Sequence, residues 1–288
     1  MTDPHLTVAD KRKAFRKLHE AGCFVIPNPW DIGTARYLQH LGFKALATTS
    51  AGFAFSQGLP DSAVPLDMML HHIREIAGST ELPVNADFEG GYADDPDEVA
   101  ENVRLCVETG VSGLSIEDST GDSDNPLYEL DFAVARMRAA RAAIDRAGGE
   151  VMLTGRAECF IVGRPDLDDA IRRLKAYADA GADCLYAPGL RTRDLIAAVI
   201  KAVAPQPVNV LMPGALGITV AELAQLGARR ISVGGTLARI AWGGFIRAAR
   251  EIATDGRFDA FAGSPANIEL NNFFRDDLKK RTSADDAA

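Results

Sequence analysis

Short runs of β-branched and apolar residues alternate along the chain with longer stretches in which apolar residues recur every three or four positions. The runs cover residues 23–27, 45–49, 83–87, 113–117, 151–155, 184–187, 208–212 and 230–234. Their starts lie roughly 22 to 38 residues apart, the length of one strand–helix unit. Between them, residues 97–108, 130–147, 167–180, 193–203 and 220–226 carry apolar positions at helical spacing with charges on the other side. Several strands follow the same punctuation: Leu41-Gly42-Phe43, Thr109-Gly110-Val111, Ala180-Gly181-Ala182 and Leu226-Gly227-Ala228. Glycine there reaches the left-handed conformation that ends a helix. Eight such units in 288 residues predict an α/β chain folded as a (β/α)8 TIM barrel. An open doubly wound sheet is the competitor, but no GxGxxG follows any strand. Residues 1–255 are expected to form the barrel and residues 256–288 a C-terminal helical extension. The extension holds a Gly/Pro-broken link, a helix over 267–280 and an end, 283–288, expected to fray.

Composition agrees with an ordered globular chain, at 47% hydrophobic and 25% charged residues. The net charge of −9 argues against nucleic acid or an anionic membrane surface as the main partner. Cys23, Cys106, Cys159 and Cys184 have no CxxC or CxxH spacing, so they read as buried thiols of a reducing compartment. The start, MTDPHLTVADKRKAF, is polar, and no run approaches the length of a membrane span. Cytoplasmic is therefore the expected location.

In such a barrel the chemistry sits at the C-terminal ends of the strands. Those ends read Asn28-Pro29-Trp30-Asp31, Thr48-Thr49-Ser50-Ala51-Gly52, Asn85-Ala86-Asp87-Phe88-Glu89, Glu117-Asp118, Arg156-Ala157-Glu158, Pro188-Gly189, Asn209 with Met212-Pro213-Gly214, and Gly234-Gly235. None of the five histidines (His5, His19, His40, His71, His72) falls at a strand end. Lys44 begins the second strand and the other lysines lie on helices or termini, so a Schiff-base mechanism lacks its nucleophile. No GxSxG, HExxH or Walker A pattern occurs.

Asp87 and Glu117 end neighbouring strands, with Asn85 two residues before Asp87. Carboxylates converging at a barrel mouth repel unless a cation lies between them, and Mg²⁺ accepts a few oxygens while keeping waters and substrate as its other ligands. A 2-oxo acid chelates such an ion, which then stabilises the enolate formed when the neighbouring bond breaks. Helix capping or loop ion pairs explain the same two acids. Arg156 at the fifth strand is either a fork for a substrate carboxylate or phosphonate, or a structural bridge to Glu158 or Glu89. Ser50-Ala51-Gly52 offers backbone N–H groups to an anion, or is a plain small-residue turn. Gly234-Gly235 marks either a phosphate position or tight packing, and Trp30 either a pocket wall or core.

At these residues the chain resembles the isocitrate lyase / phosphoenolpyruvate mutase superfamily, over roughly residues 10 to 250. The segments are Pro27-Asn28-Pro29-Trp30-Asp31, the SAG-x5-GLPD stretch from Ser50 to Asp61, Asn85-Ala86-Asp87 with Gly91-Tyr92, Ser115-Ile116-Glu117-Asp118, Arg156 and Asn209. The resemblance implies Asp87 as the metal-site aspartate, Glu117 as its partner and Asn85 acting through water. It implies Ser50, Ala51, Gly52, Arg156, Asn209 and Trp30 around the substrate, and Asp61 near the reacting centre. It also implies Mg²⁺, or Mn²⁺ in its place, and a homo-oligomer, a tetramer or dimer of dimers in which a C-terminal helix is swapped between subunits.

The departures are specific. The lyase branch carries a KKCGH loop after strand four, whereas this chain has Ser119-Thr120-Gly121-Asp122-Ser123-Asp124-Asn125-Pro126. The first aspartate of the DxD pattern is Asn85, and Pro188 replaces a glutamate found in several lyases. The strand-three loop looks longer and includes Glu89. The expectation is a Mg²⁺-dependent enzyme that cleaves or decarboxylates a C–C bond of a small 2-oxo or 2-hydroxy (di)carboxylic acid through a metal-stabilised enolate. Asp61 or Glu89 would move protons, and Arg156 with the Ser50 turn would hold the acid groups. The alternatives are P–C chemistry of the phosphoenolpyruvate mutase or phosphonopyruvate hydrolase type, a non-catalytic barrel that binds a 2-oxo acid, and sugar-phosphate chemistry at Gly234-Gly235.

Overall fold

A computed structural model describes residues 6–285. Eight parallel strands form the predicted barrel: β1 (Phe24–Ile26), β2 (Leu46–Ala47), β3 (Val84–Asp87), β4 (Gly113–Glu117), β5 (Met152–Arg156), β6 (Cys184–Tyr186), β7 (Val208–Leu211) and β8 (Arg230–Ser232). Neighbours pair in the order β1-β8-β7-β6-β5-β4-β3-β2. The seam between β1 and β2 carries no ladder. There Ala47 N–H donates to the Pro27 carbonyl at 3.1 Å. Asn28 completes the closure: its Nδ2 donates to Thr48 O at 2.8 Å, and its Oδ1 accepts from Val233 N–H at 3.0 Å and Gly234 N–H at 2.9 Å.

Along β3 to β8 the alternation runs opposite to that of a simple apolar-cored sheet. Val84, Ala86, Leu114, Ile116, Leu153, Leu185, Val210 and Ile231 join the large core between strands and helices. Asn85, Asp87, Ser115, Arg156, Tyr186, Asn209, Arg230 and Ser232 instead line a pocket inside the barrel. The period of two thus delivers polar side chains to the interior and leaves the hydrophobic burial to the outer ring.

That ring comprises α2 (Ile32–His40), α3 (Ser50–Ser56), α4 (Leu66–Gly78), α5 (Pro96–Val107), α6 (Leu130–Arg146), α7 (Leu167–Asp179), α8 (Arg193–Val203), α9 (Val220–Gln225) and α10 (Thr236–Asp255). A helix precedes the barrel, α1 (Val8–Glu20), opened by a capping box between Thr7 and Asp10. Its Phe15 is fully buried with Phe24, Ile26, Ala45, Ala47 and Met152, closing the end of the barrel opposite the site. The polar look of this segment comes from cationic side chains that serve the same contact. Lys11 donates to the carbonyls of Ala77 and Thr80, Arg12 to those of Val107 and Val111, and Arg16 to those of Gly149 and Glu150. Gly113 is where the helix meets the barrel: a Cβ there would lie 2.7 Å from Phe15 Cε1 and 2.7 Å from Asn85 Oδ1.

After α10 ends at the left-handed Gly256, a single 3-10 turn leads to α11 (Asn267–Asp285). This helix lies on α2 of the same chain, where Arg36 Nε and Nη2 grip the Asp277 carboxylate and Tyr37 meets Phe273 at 5.0 Å. The segment 283–288, expected to fray, is helical through Asp285, and residues 286–288, like residues 1–5 with His5, lie outside the described residues. No helix among the described residues is long and apolar enough to cross a membrane.

Candidate active site

The pocket at the C-terminal strand ends has a volume of about 160 Å³. A cavity of about 150 Å³ takes one benzene-sized molecule, so the space is on the scale of a small acid. Asp87, Arg156, Ser50, Ala51, Asp61, Asn85 and Asn209 all line it, which brings most of the sequence-predicted residues together.

Arg156 is the hub. Its Nη1 lies 3.2 Å from Asp87 Oδ1 and 2.9 Å from Glu117 Oε2, and its Nε reaches Glu158 Oε1 at 2.5 Å. The guanidinium, rather than a direct acid–acid contact, thus fills the space between Asp87 and Glu117. It also lies over the Tyr186 ring, 5.3 Å from the centroid. The structure shows the bridging reading offered for Arg156: it pairs with Glu158, and it stands in the mouth beside Asp87 and Glu117. Three carboxylates against one guanidinium leave the cluster acidic. Burial pushes the Glu117 and Glu158 carboxyls above their ordinary values, and Arg156 opposes that push in each.

Ser50 is committed to Asp87: its N–H and its hydroxyl donate to Asp87 Oδ2 at 3.0 and 3.1 Å. Ser50-Ala51-Gly52 is the first turn of α3, capped by Thr49, whose hydroxyl accepts from Gly52 N–H at 3.2 Å. The N–H groups of Ser50 and Gly52 therefore already have acceptors. Gly52 serves packing, since a Cβ there would lie 2.6 Å from Thr49 Cγ2 and 3.2 Å from Ala238 Cβ. At Gly235, by contrast, a Cβ would meet Ala51 Cβ at 3.5 Å, an ordinary contact.

Asp61 sits in an exposed turn with its carboxyl directed at Asp87 and Ser50; partial burial, then the Asp87 charge, raises its pKa. Glu89 lies outside the pocket lining, beside Asp87, and accepts from Tyr92 Oη at 3.0 Å. Burial first and Asp87 second push its carboxyl up to about 7. Glu89, Ser62 and Tyr92 all take left-handed φ, +47°, +63° and +59°, a strain that non-glycine residues hold only where their surroundings impose it. Here the surroundings are a clamp: Glu117 N–H donates to Glu89 O at 3.0 Å, and buried Arg136 donates to the carbonyls of Gly90, Ala93, Asp94 and Glu117.

Asn85 and Asn209 point inward but are held by Arg230. Asn209 Oδ1 accepts from Arg230 Nε at 2.9 Å, and Asn85 Oδ1 from Arg230 Nη1 at 3.4 Å. Trp30 stands apart. It lines a separate apolar recess with Ser56, Ala238, Ala241, Trp242 and Phe245. Asp118, next to Glu117, faces away from the pocket and is fully satisfied by Arg173 Nη1, Tyr177 Oη and Glu158 N–H. Sequence reasoning missed Tyr186, Arg230 and Ser232 as pocket residues and gave Glu158 only a bracing role. Period-two alternation along β6 and β8 is the signal that would have found the first three.

The phosphoenolpyruvate phosphomutase family matches residues 15–253. A crystal structure from Burkholderia cenocepacia J2315 is 50% identical and covers 93% of this chain and 97% of its own, at a TM-score of 0.90. An oxaloacetate decarboxylase of Rhodopseudomonas palustris is 30% identical over 239 residues, 78% of this chain and 77% of the relative. An oxaloacetate acetylhydrolase solved with its product oxalate is 27% identical, covering 96% and 98% of the two chains at a TM-score of 0.82. With the barrel, and the acids of β3 and β4 meeting the arginine of β5, this chain belongs to the phosphoenolpyruvate phosphomutase family, within the isocitrate lyase / phosphoenolpyruvate mutase superfamily.

Proposed function

We propose that the chain is a divalent-metal-dependent enzyme that breaks a C–C bond in a small 2-oxo dicarboxylate, with decarboxylation of oxaloacetate as the best-fitting reaction. The observation that carries this is the pocket lining: carboxylates and two arginines, Arg156 and Arg230, among amides and hydroxyls, with no Cys, His or Lys. Cleaving a 2-hydroxy acid needs a base for the hydroxyl and an acid for the departing carbanion. A β-keto acid already contains its electron sink. The C3–C4 bond breaks, CO₂ leaves, its electron pair becomes the enolate of pyruvate, and one proton is added at C3. The decarboxylase and acetylhydrolase relatives, both named for oxaloacetate, support this substrate class.

The acidic cluster and its hard oxygen donors fit Mg²⁺, or Mn²⁺ in its place. Among the described residues no group of three or more His, Cys, Asp or Glu is arranged to hold an ion, so water and substrate would have to supply the remaining ligands. Asp87 would hold it, with Glu117 and Asn85 acting through water. When bound, the ion supplies positive charge at the keto oxygen. Arg156 pairs with a substrate carboxylate, Ser50 fixes the Asp87 carboxylate, and Asp61 with Glu89 exchanges the proton. A homo-oligomer belongs to the same proposal, and static light scattering tests it.

The test is pyruvate formation from oxaloacetate with Mg²⁺ or Mn²⁺, before and after chelation. Metal-dependent turnover that survives Asp87→Ala overturns the assignment. P–C chemistry is the second reading, favoured by the family match itself. Release of inorganic phosphate from phosphonopyruvate in place of pyruvate from oxaloacetate decides for it.

A further inference from the structure

We propose that Tyr186 is a further substrate-contacting residue, whose phenol donates a hydrogen bond to an oxyanion of the acid in this pocket along a direction set by Arg230, Asn209 and Ser232. The proposal rests on the pocket being a 2-oxo-acid site.

Arg230 is 3% exposed and lies across the barrel interior. Its partners are three neutral acceptors from three strands: Asn209 Oδ1 at 2.9 Å, Thr154 Oγ1 at 3.1 Å and Asn85 Oδ1 at 3.4 Å. A guanidinium can only donate. The Asn209 oxygen must therefore face Arg230, which turns its Nδ2 toward Ser232 Oγ, 2.9 Å away. Ser232 accepts that bond and so directs its own proton elsewhere, and in the proposed chain that proton goes to the oxygen of Tyr186, which lines the same pocket. With its oxygen accepting from Ser232, Tyr186 keeps its proton to donate. Among the described residues no protein acceptor takes that proton, and Tyr186 lines the pocket.

Every link in this chain thus has one direction, imposed by a buried cation at one end and delivered to the pocket at the other. Such chains polarise their members and strengthen the terminal donor. Register places that donor well, since Tyr186 pairs with Arg156 on β5 and with Asn209 on β7. The Arg156 guanidinium over the ring holds the phenol plane beside the acid-binding group. Burial keeps the phenol protonated.

The experiment compares wild type, Tyr186→Phe, Ser232→Ala and the double variant. Tyr186→Phe keeps the ring under Arg156 and removes only the hydroxyl, so its thermal midpoint should stay close to wild type. A hydrogen bond to a charged oxygen corresponds to a loss of about ten- to a hundredfold in kcat/KM with oxaloacetate. Ser232→Ala should lose less, and the double variant should be no worse than Tyr186→Phe, because both act through one bond. Oxalate binding in the presence of Mg²⁺, followed by calorimetry, should weaken about tenfold in Tyr186→Phe. Turnover and oxalate affinity within twofold of wild type overturn the proposal, as do losses that multiply in the double variant, or a pocket that binds no oxalate. If wild type binds oxalate but turns over no oxaloacetate, the proposed reaction falls while the oxalate titration still decides the role of Tyr186.

Discussion

Replacing Arg156 with methionine keeps an unbranched stem over Tyr186 and removes the charge from between three carboxylates. Those contacts, at 3.2, 2.9 and 2.5 Å, involve side chains that are 20%, 15% and 3% exposed, against 18% for Arg156. Breaking a buried ion pair by deleting one partner costs about 3–5 kcal/mol; partial access to the pocket favours the lower end, about 3 kcal/mol. At about 2 °C per kcal/mol for a chain of this size, the unfolding midpoint should fall by roughly 6 °C at pH 7.5. The origin of the loss shows in its pH dependence. Burial raises the Glu117 and Glu158 carboxyls, Arg156 restrains the rise, and its removal raises them further. A carboxyl with a folded pKa above its unfolded value destabilises the protein above that folded pKa, and the cost fades as pH falls toward the ordinary 4.5. Scanning calorimetry in chelator should therefore show the gap between Arg156→Met and wild type narrowing from pH 7.5 to pH 5. Added Mg²⁺ should narrow it at pH 7.5. An equal gap at both pH values would mean that lost packing over Tyr186 dominates, and would refute the charge argument.

Tyr177→Phe removes the hydroxyl that donates to buried Asp118 and should cost about 1.5–3 kcal/mol in denaturant unfolding. Gly113→Ala forces a methyl against Phe15 and Asn85 and should cost about 1–3 kcal/mol, with faster amide exchange in α1. Asn28→Ala removes one hydrogen bond across the β1–β2 seam and two from the end of β8, and amide exchange at Val233 and Gly234 should accelerate more than elsewhere in the barrel. His19 is held neutral by burial and by Arg230, its pKa lowered to about 3. A group depressed below its unfolded 6.5 contributes stability that is present above that value and lost as pH falls toward 3. His19→Gln should therefore make stability less sensitive to acid between pH 6.5 and pH 4, as read by urea midpoints.

The strands were legible because each is a short apolar or β-branched run between breakers; residues 113–117 and 193–203 match β4 and α8 residue for residue. The first helix was not, because Lys11, Arg12 and Arg16 make it look solvated when their charges in fact reach backbone carbonyls beneath it. Ser50-Ala51-Gly52 could be read as a turn because its small residues give no helical periodicity over seven positions. Asp87, Glu117 and Arg156 were legible from their places at strand ends. The Arg230 network was not, since its partners come from β3, β5 and β7 and only closure of the barrel brings them together. Trp30 shows the limit of position within a motif: two residues past Asn28, it turns to the α10 side of the wall.

The helix that closes the barrel floor has a consequence for the order of assembly. Residues 8–20 contact carbonyls at positions 77, 80, 107, 111, 149 and 150, and Arg16 also reaches Asp183 at 3.4 Å. That set of bonds cannot be complete until the chain through the start of β6 exists. Synthesised before every carbonyl it contacts, this segment must then wait, amphipathic and without its full set of partners, while more than half the barrel is made. Docking at such sequence separations makes the floor a late, slow event in folding.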